Sequence, residues 1–203
     1  MAVDSPTLPG ILDTLARLHD HKTVGYGNAW RKRGELLSIF TNLARKYDRL
    51  TVALDERVTS GDEALLDTAA DLCVYAAKYL TWLAETHPGA FEAASHEASA
   101  KACSDAAGPG ALRVIFSCLK TTGAEQGIDS SWTRIKAVFE PLEVALMAQA
   151  GAATTGTRFS WEEKTGAAWA LTERAAQLTV AVARDRPAEW RALLREIDRM
   201  GDR

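Results

Sequence analysis

Leu36, Phe40, Leu43, Tyr47 and Leu50 recur at +4, +7, +11 and +14, the spacing that gathers apolar side chains on one face of an α-helix. A second seam of the same period follows, with Leu65, Ala69, Leu72, Ala76, Leu80 and Leu83. A helix with one apolar stripe must bury it against another element. Two seams joined by a turn near Glu56 therefore predict an antiparallel helix pair. Strand-like alternation appears only briefly, at Thr179 to Val182, inside an alanine-rich helical pattern. The chain reads as all-α, a helical bundle built around this long pair with additional C-terminal helices.

The punctuation divides the rest. Pro6 and Pro9 precede a short helix over 11–20, with Ile11, Leu12, Leu15 and Leu18 on its stripe. A loop over 21–29 holds Gly25 and Gly27 on either side of Tyr26 and leads into a helix over 30–50. Ser60 and Glu63 match a capping box, so the second long helix is expected to start at Gly61 or Asp62 and to stop at His87-Pro88-Gly89. Further helices are expected over 91–106 and 111–120, the latter strongly apolar. Another spans 131–150 with Pro141 inside it, where a kink or break is expected. Residues 151–157 are the best linker candidate. Ser160 and Glu163 form another capping box, opening a helix to about Arg184, and Pro187 begins a last one carrying Trp190, Leu193, Leu194 and Ile197. We expect one domain over 1–203, with 1–89 bearing the motifs and 90–203 completing the core.

Composition narrows the function classes. With 203 residues, 47% of them hydrophobic, the chain can bury a sizeable core. The 27 acidic and 24 basic side chains nearly cancel, which argues against a protein that coats duplex DNA. No signal-peptide pattern opens the chain, and no window approaches the roughly 18 apolar residues of a membrane span. Cys73, Cys103 and Cys118 are widely spaced in apolar surroundings and read as reduced core thiols, so a cytoplasmic location is expected.

Candidate chemistry concentrates on the central pair. At about 100° per residue, Glu35, Asn42, Lys46 and Arg49 fall within roughly 60° of arc. Asp67, Asp71, Tyr75 and Lys78 make a matching stripe on the partner helix. Carboxylates one turn apart are able to hold Mg²⁺, which takes oxygen ligands and keeps waters for a phosphate substrate. Lys22, Lys46 and Arg49 would then neutralise phosphate oxygens. Tyr26 and Trp30 would stack on a base, with Gly25 and Gly27 letting backbone N–H groups approach a phosphate. A plainer reading uses the same residues as ion pairs. In an antiparallel hairpin Glu35 lies across from about Lys78, and Lys46 and Arg49 across from about Asp67.

Lys22, Tyr26-Gly27, Ala29-Trp30, Arg45-Lys46-x-Asp48-Arg49-Leu50, then Asp67-x-x-x-Asp71-Leu72 and Tyr75 resemble a phage and bacterial family, nucleotide modification associated domain 1. The similarity covers about residues 18–85. It implies an all-helical fold and a role in nucleotide metabolism or DNA modification. The second helix also looks like the aspartate-bearing helix of the MazG-like all-α nucleoside triphosphate pyrophosphatases, which hold catalytic Mg²⁺ between two helices. Those enzymes carry a glutamate pair three apart on the earlier helix, whereas here Glu35 is followed at +3 by Ser38.

Two expectations follow. One is a Mg²⁺-dependent nucleotide phosphohydrolase, with Asp67 and Asp71 as metal ligands and Glu35 as ligand or general base. Lys22, Tyr26, Trp30, Lys46, Arg49 and Tyr75 would bind the substrate. The other is a nucleotide- or protein-binding helical module without catalysis. The pyrophosphatase resemblance also implies a homodimer. His19-Asp20 reads as a helix-end pair, His87 and His96 as surface or helix-end residues, and Cys118 as core.

Overall fold

The computed structural model describes residues 6–27, 29–56, 64–97, 106–108, 110–119, 126–151 and 158–201. Every regular element among them is helical. They are α1 (Leu8–Tyr26), α2 (Thr41–Leu54), α3 (Leu65–Thr86), α4 (Pro88–Glu97), α5 (Ala111–Cys118), α6 (Ile128–Gln149), α7 (Trp161–Asp185) and α8 (Pro187–Gly201). A short 3₁₀ turn, Ala29–Arg31, and a π-helix, Glu35–Phe40, lie between α1 and α2.

The all-α expectation matches, with informative differences at the boundaries. Instead of ending near Asp20, α1 runs on through Gly25, and the chain turns at Gly27, which has a positive φ of 51°. The helix expected over 30–50 is divided. Gly34, at φ 76°, breaks the path in a conformation that favours glycine, and the Ser38 hydroxyl accepts the Arg33 N–H at 2.9 Å. The π-helix that follows adds residues per turn and passes directly into α2. It buries Glu35, Ser38, Ile39 and Phe40 while leaving Leu37 exposed. The inward seam is thus Ile39, Phe40, Leu43, Tyr47 and Leu50, with Leu36 only half-buried.

The Ser60–Glu63 capping box lies outside the described residues. α3 begins at Leu65, later than that box implies, and the Leu66 N–H donates to Glu189 Oε2 of α8 at 3.0 Å. A distant carboxylate thus serves an N-terminal donor that has no partner within the helix. α3 ends at Thr86, as the His87-Pro88-Gly89 stop requires, and Pro88 opens α4 earlier than expected. α6 continues through Pro141 without a break. Both Pro141 and Ala137, whose carbonyl loses its helical donor, are exposed, so water is able to serve that carbonyl. The second capping box forms as expected: Glu163 N–H donates to Ser160 Oγ at 3.1 Å, and Ser160 N–H to Glu163 Oε2 at 2.7 Å. Of the linker candidate over 151–157, residues 152–157 lie outside the described residues.

α7 is the central element. It packs most extensively on α3 and also meets α1, α4, α6 and α8. One apolar cluster joins buried residues of all eight helices, from Ile11 and Leu15 to Trp190 and Ile197. Tyr47 stacks on Phe139 with centroids 4.0 Å apart and donates its hydroxyl to Glu140, tying α2 to α6. No described helix is long and apolar enough to cross a membrane. Cys73 is a free buried thiol, raised in pKa by its burial. Cys118 is disulfide-bonded with its partner outside the described residues, which corrects the expectation of reduced thiols throughout.

Candidate functional site

A cavity of about 420 Å³ opens where the end of α1, the turn after it, and the inner faces of α2 and α3 meet. His19, Trp30, Asn42, Asp71, Tyr75 and Lys78 supply its polar and aromatic wall, with Leu18 and Val74 as apolar backing. Each is positioned by local structure. Gly27 reverses the chain so that the 3₁₀ turn brings Trp30 back against α3. Asp71, Tyr75 and Lys78 sit on consecutive turns of one α3 face. Asn42 donates its amide to the Ser38 carbonyl at 2.8 Å, across the junction between π- and α-helix.

Lys78 organises the aromatic side of this wall. Its ammonium lies 5.4 Å from the Trp30 ring centroid and 5.3 Å from that of Tyr75, within cation–π range of both. The Arg31 guanidinium approaches Trp30 at 5.6 Å and is bonded to Glu85. His19 is held below the ordinary imidazole pKa first by burial and then by Lys78, against the opposing pull of the Asp20 carboxylate 3.5 Å from its Nδ1. The Tyr75 hydroxyl is pushed up, first by burial and then by the Asp71 charge.

On the polar side, Lys46 Nζ lies 2.6 Å from Asp71 Oδ2, with the lysine buried and the aspartate side chain 32% exposed. A cross-helix lysine–aspartate pair thus joins α2 to α3 through Asp71, one turn further along α3 than Asp67. Asp67 and Arg49 are exposed and are not among the residues lining the cavity. Lys22 and Tyr26 fall in the C-terminal part of α1, and their side chains lie outside the description.

Glu35 is elsewhere. Lys164 of α7 donates to its two oxygens at 2.8 and 3.1 Å, Tyr79 of α3 donates to Oε1, and Lys164 also reaches Gln149 of α6. The Glu35–Lys78 pair expected from the hairpin is therefore replaced by Glu35–Lys164. The π-helix supplies the reason: it shifts the phase of Glu35 relative to Asn42 and Lys46, turning the carboxylate from the cavity toward the core. Burial and the Glu35 charge together hold the Tyr79 hydroxyl far above the ordinary phenol range. The network is roofed by Trp161, whose ring lies 4.0 Å from the Lys164 ammonium and stacks on His87 at 3.5 Å.

Of the expected site residues, the fold thus brings Trp30, Asp71 and Tyr75 together at one cavity, with Lys46 behind Asp71. It separates Glu35 from them. Among the described residues no group of three or more His, Cys, Asp and Glu is arranged to hold a metal ion. The three expected carboxylates accordingly do not form a joint donor set: Glu35 is bound by Lys164 and Tyr79, and one oxygen of Asp71 by Lys46. Sequence reasoning passed over His19 at the cavity and Lys164 in the core. The α3 stripe already contained Lys78, and helical spacing from Tyr75 was the signal for it; nothing local pointed to Lys164. No family model, no curated protein and no solved structure matches this chain.

Proposed function

We propose that this protein is a nucleotide-binding helical module whose ligand occupies the cavity between α1, α2 and α3. The observation that carries the reading is the Trp30–Lys78–Tyr75 arrangement, in which two aromatic rings and a cation share one cavity wall. A planar base competes with the ammonium for a ring face, since base–aromatic stacking and cation–π attraction are of similar size. The Lys78 ammonium stands at the same wall, where the anionic part of such a ligand would meet it. A volume of about 420 Å³ lies within the range of small-molecule sites. The resemblance of residues 18–85 to a nucleotide-associated family supports the same ligand class.

A panel of nucleosides and nucleotides, scored by thermal stabilisation with and without Mg²⁺, tests this. At least one base-bearing ligand should raise Tm, and Trp30→Ala combined with Tyr75→Ala should remove the shift. If no base-bearing compound moves Tm, the reading is wrong.

A Mg²⁺-dependent phosphohydrolase is the second reading, and Asp71 is what favours it, as a partly exposed carboxylate in the cavity wall. As a metal ligand Asp71 would offer the oxygen that Lys46 does not hold. Asp67, one turn away, would be the second ligand, and Glu35 would have to leave Lys164 to act as base. Those requirements rank catalysis behind binding. Mg²⁺-dependent phosphate or pyrophosphate release that disappears in Asp71→Asn would reverse the order. A homodimeric protein completes the proposal, and a monomer mass by light scattering at high concentration would remove the dimer from it.

A further inference from the structure

We propose that the outward face shared by the π-helix, α2 and α6 is a docking surface for a basic amphipathic helix of another protein. This goes beyond the nucleotide reading and does not depend on it, since none of the residues involved lines the cavity.

Three large apolar side chains stand exposed among the described residues: Leu37 at 71%, Val144 at 51% and Met147 at 41%. Scattered singly, such residues need no explanation, but these share one side of the molecule. α6 runs antiparallel to the π-helix and α2. Asp55, just past α2, accepts from Trp132 and Lys136, and Tyr47 meets Phe139 and Glu140. At the other end Lys164 holds Glu35 and Gln149 together. Leu37 is therefore level with the last turns of α6, where Val144 and Met147 stand exposed three residues apart. The π-helix that turns Glu35 inward leaves Leu37 facing solvent.

Carboxylates border this strip. Asp48 and Glu140 are exposed, and Glu143 is half-buried beside Val144. Burial first, then the Asp48 and Glu140 charges, hold the Glu143 carboxyl above its ordinary pKa, as expected where like charges gather. The neighbouring cations are engaged elsewhere. Lys136 is bonded to both oxygens of Asp55, Arg45 donates to Asn42 and acts on Tyr75 of α3, and Arg49 has its own partner. Among the described residues no salt bridge joins a cation to Asp48, Glu140 or Glu143.

An apolar strip with an acidic border selects its occupant by charge. Two copies of this face would set the same carboxylates against each other, which disfavours self-association through it. Every regular element among the described residues is helical, so no sheet edge is on offer to an extended peptide. A helix with apolar residues at i, i+3, i+4 and i+7 covers Leu37, Val144 and Met147, and Lys or Arg on its flank meets the carboxylates.

Fluorescence anisotropy with the full-length protein tests this. The probe is a synthetic amphipathic peptide about four helical turns long, with a leucine face and lysine flanks. One control replaces the lysines with glutamates, and another scrambles the sequence. The basic peptide should bind at least about tenfold tighter than either control. Val144→Asp combined with Met147→Asp should weaken it by about tenfold or more. Asp48→Lys combined with Glu143→Lys should abolish its advantage over the acidic peptide. Circular dichroism checks that each variant keeps its helix content, and the ranking of the three peptides on the unmodified protein stands whether or not a variant folds. Equal binding of basic and acidic peptides, binding indifferent to both variants, or no binding would each overturn the proposal. A dimer mass in light scattering that falls to a monomer in the Val144→Asp, Met147→Asp variant would also overturn it, by assigning the face to a second copy of this chain.

Discussion

Replacing Lys164 with methionine should be the most damaging single change outside the apolar core. The Lys164 side chain is 1% exposed and that of Glu35 7%, with Nζ 2.8 Å from Oε2. Methionine fills most of the same volume, so the loss is chiefly electrostatic. It leaves the Glu35 carboxylate buried with Tyr79 as its remaining described donor, and it also removes the donor to Gln149. Breaking a buried pair from one side costs about 3–5 kcal/mol, because the surviving charge stays desolvated. For a chain of this length each kcal/mol moves Tm by roughly 2–4 °C, so Tm should fall by roughly 6–20 °C.

The companion variant is Lys164→Met with Glu35→Gln. The glutamine carbonyl still accepts from Tyr79, and no charge remains in the site. Most of the lost stability should return, since neutral replacements of buried ion pairs are often tolerated. Urea unfolding at neutral pH, followed by far-UV circular dichroism, measures both. If Lys164→Met alone lies within about 1 kcal/mol of the parent, as exposed pairs do, the network is not acting as a buried one. If the double variant is worse than the single, the penalty does not come from a stranded carboxylate.

Three further expectations follow from the same structure. Asp71→Asn takes a carboxylate from beside the buried Lys46 ammonium and should cost about 1–3 kcal/mol, discounted from a fully buried pair because Asp71 is a third exposed, whereas Asp67→Asn, at an exposed position, should cost less than about 1 kcal/mol; equal effects in urea unfolding would contradict the greater burial of the Lys46–Asp71 pair. Ser160→Ala removes one arm of the α7 capping box and should cost about 0.5–2 kcal/mol in the same assay, with no loss expected if the box were unimportant. Burial lowers the pKa of His19 and of His87, so the unfolded chain binds more protons below the ordinary value of 6.5, and stability present above that pH should decline as pH falls through the lowered folded values. Comparing urea midpoints between pH 7.5 and 5 tests this, and His19→Gln should flatten the slope; an unchanged slope would exclude His19 as a contributor.

Helical period alone established the all-α class, because each apolar stripe must be buried wherever its helix packs. The Ser160–Glu163 box and the His87-Pro88-Gly89 stop were equally legible, since caps and stops act through residues three or four apart. Local reasoning also reached Trp30, Asp71, Tyr75 and a lysine–aspartate pair between α2 and α3, the residues now found at or behind the cavity. It did not single out Asp71 as a partner of Lys46, because helix register depends on how far the connecting turn advances the chain.

The fate of Glu35 was decided only by tertiary structure. Its partner stands 129 positions away in sequence, and no spacing rule on the central pair points to Lys164. The π-helix that rotates Glu35 inward likewise has no local signature beyond Gly34 and Ser38. A π-turn persists where packing rewards it, here by burying Ile39 and Phe40 and bringing Glu35 to Lys164. The α3 start is another such case, with Glu189 of α8 supplying an acceptor that the sequence around Leu65 lacks. Periodicity and capping are short-range and readable along the chain, whereas the partner of a buried charge is set by which distant helix arrives beside it.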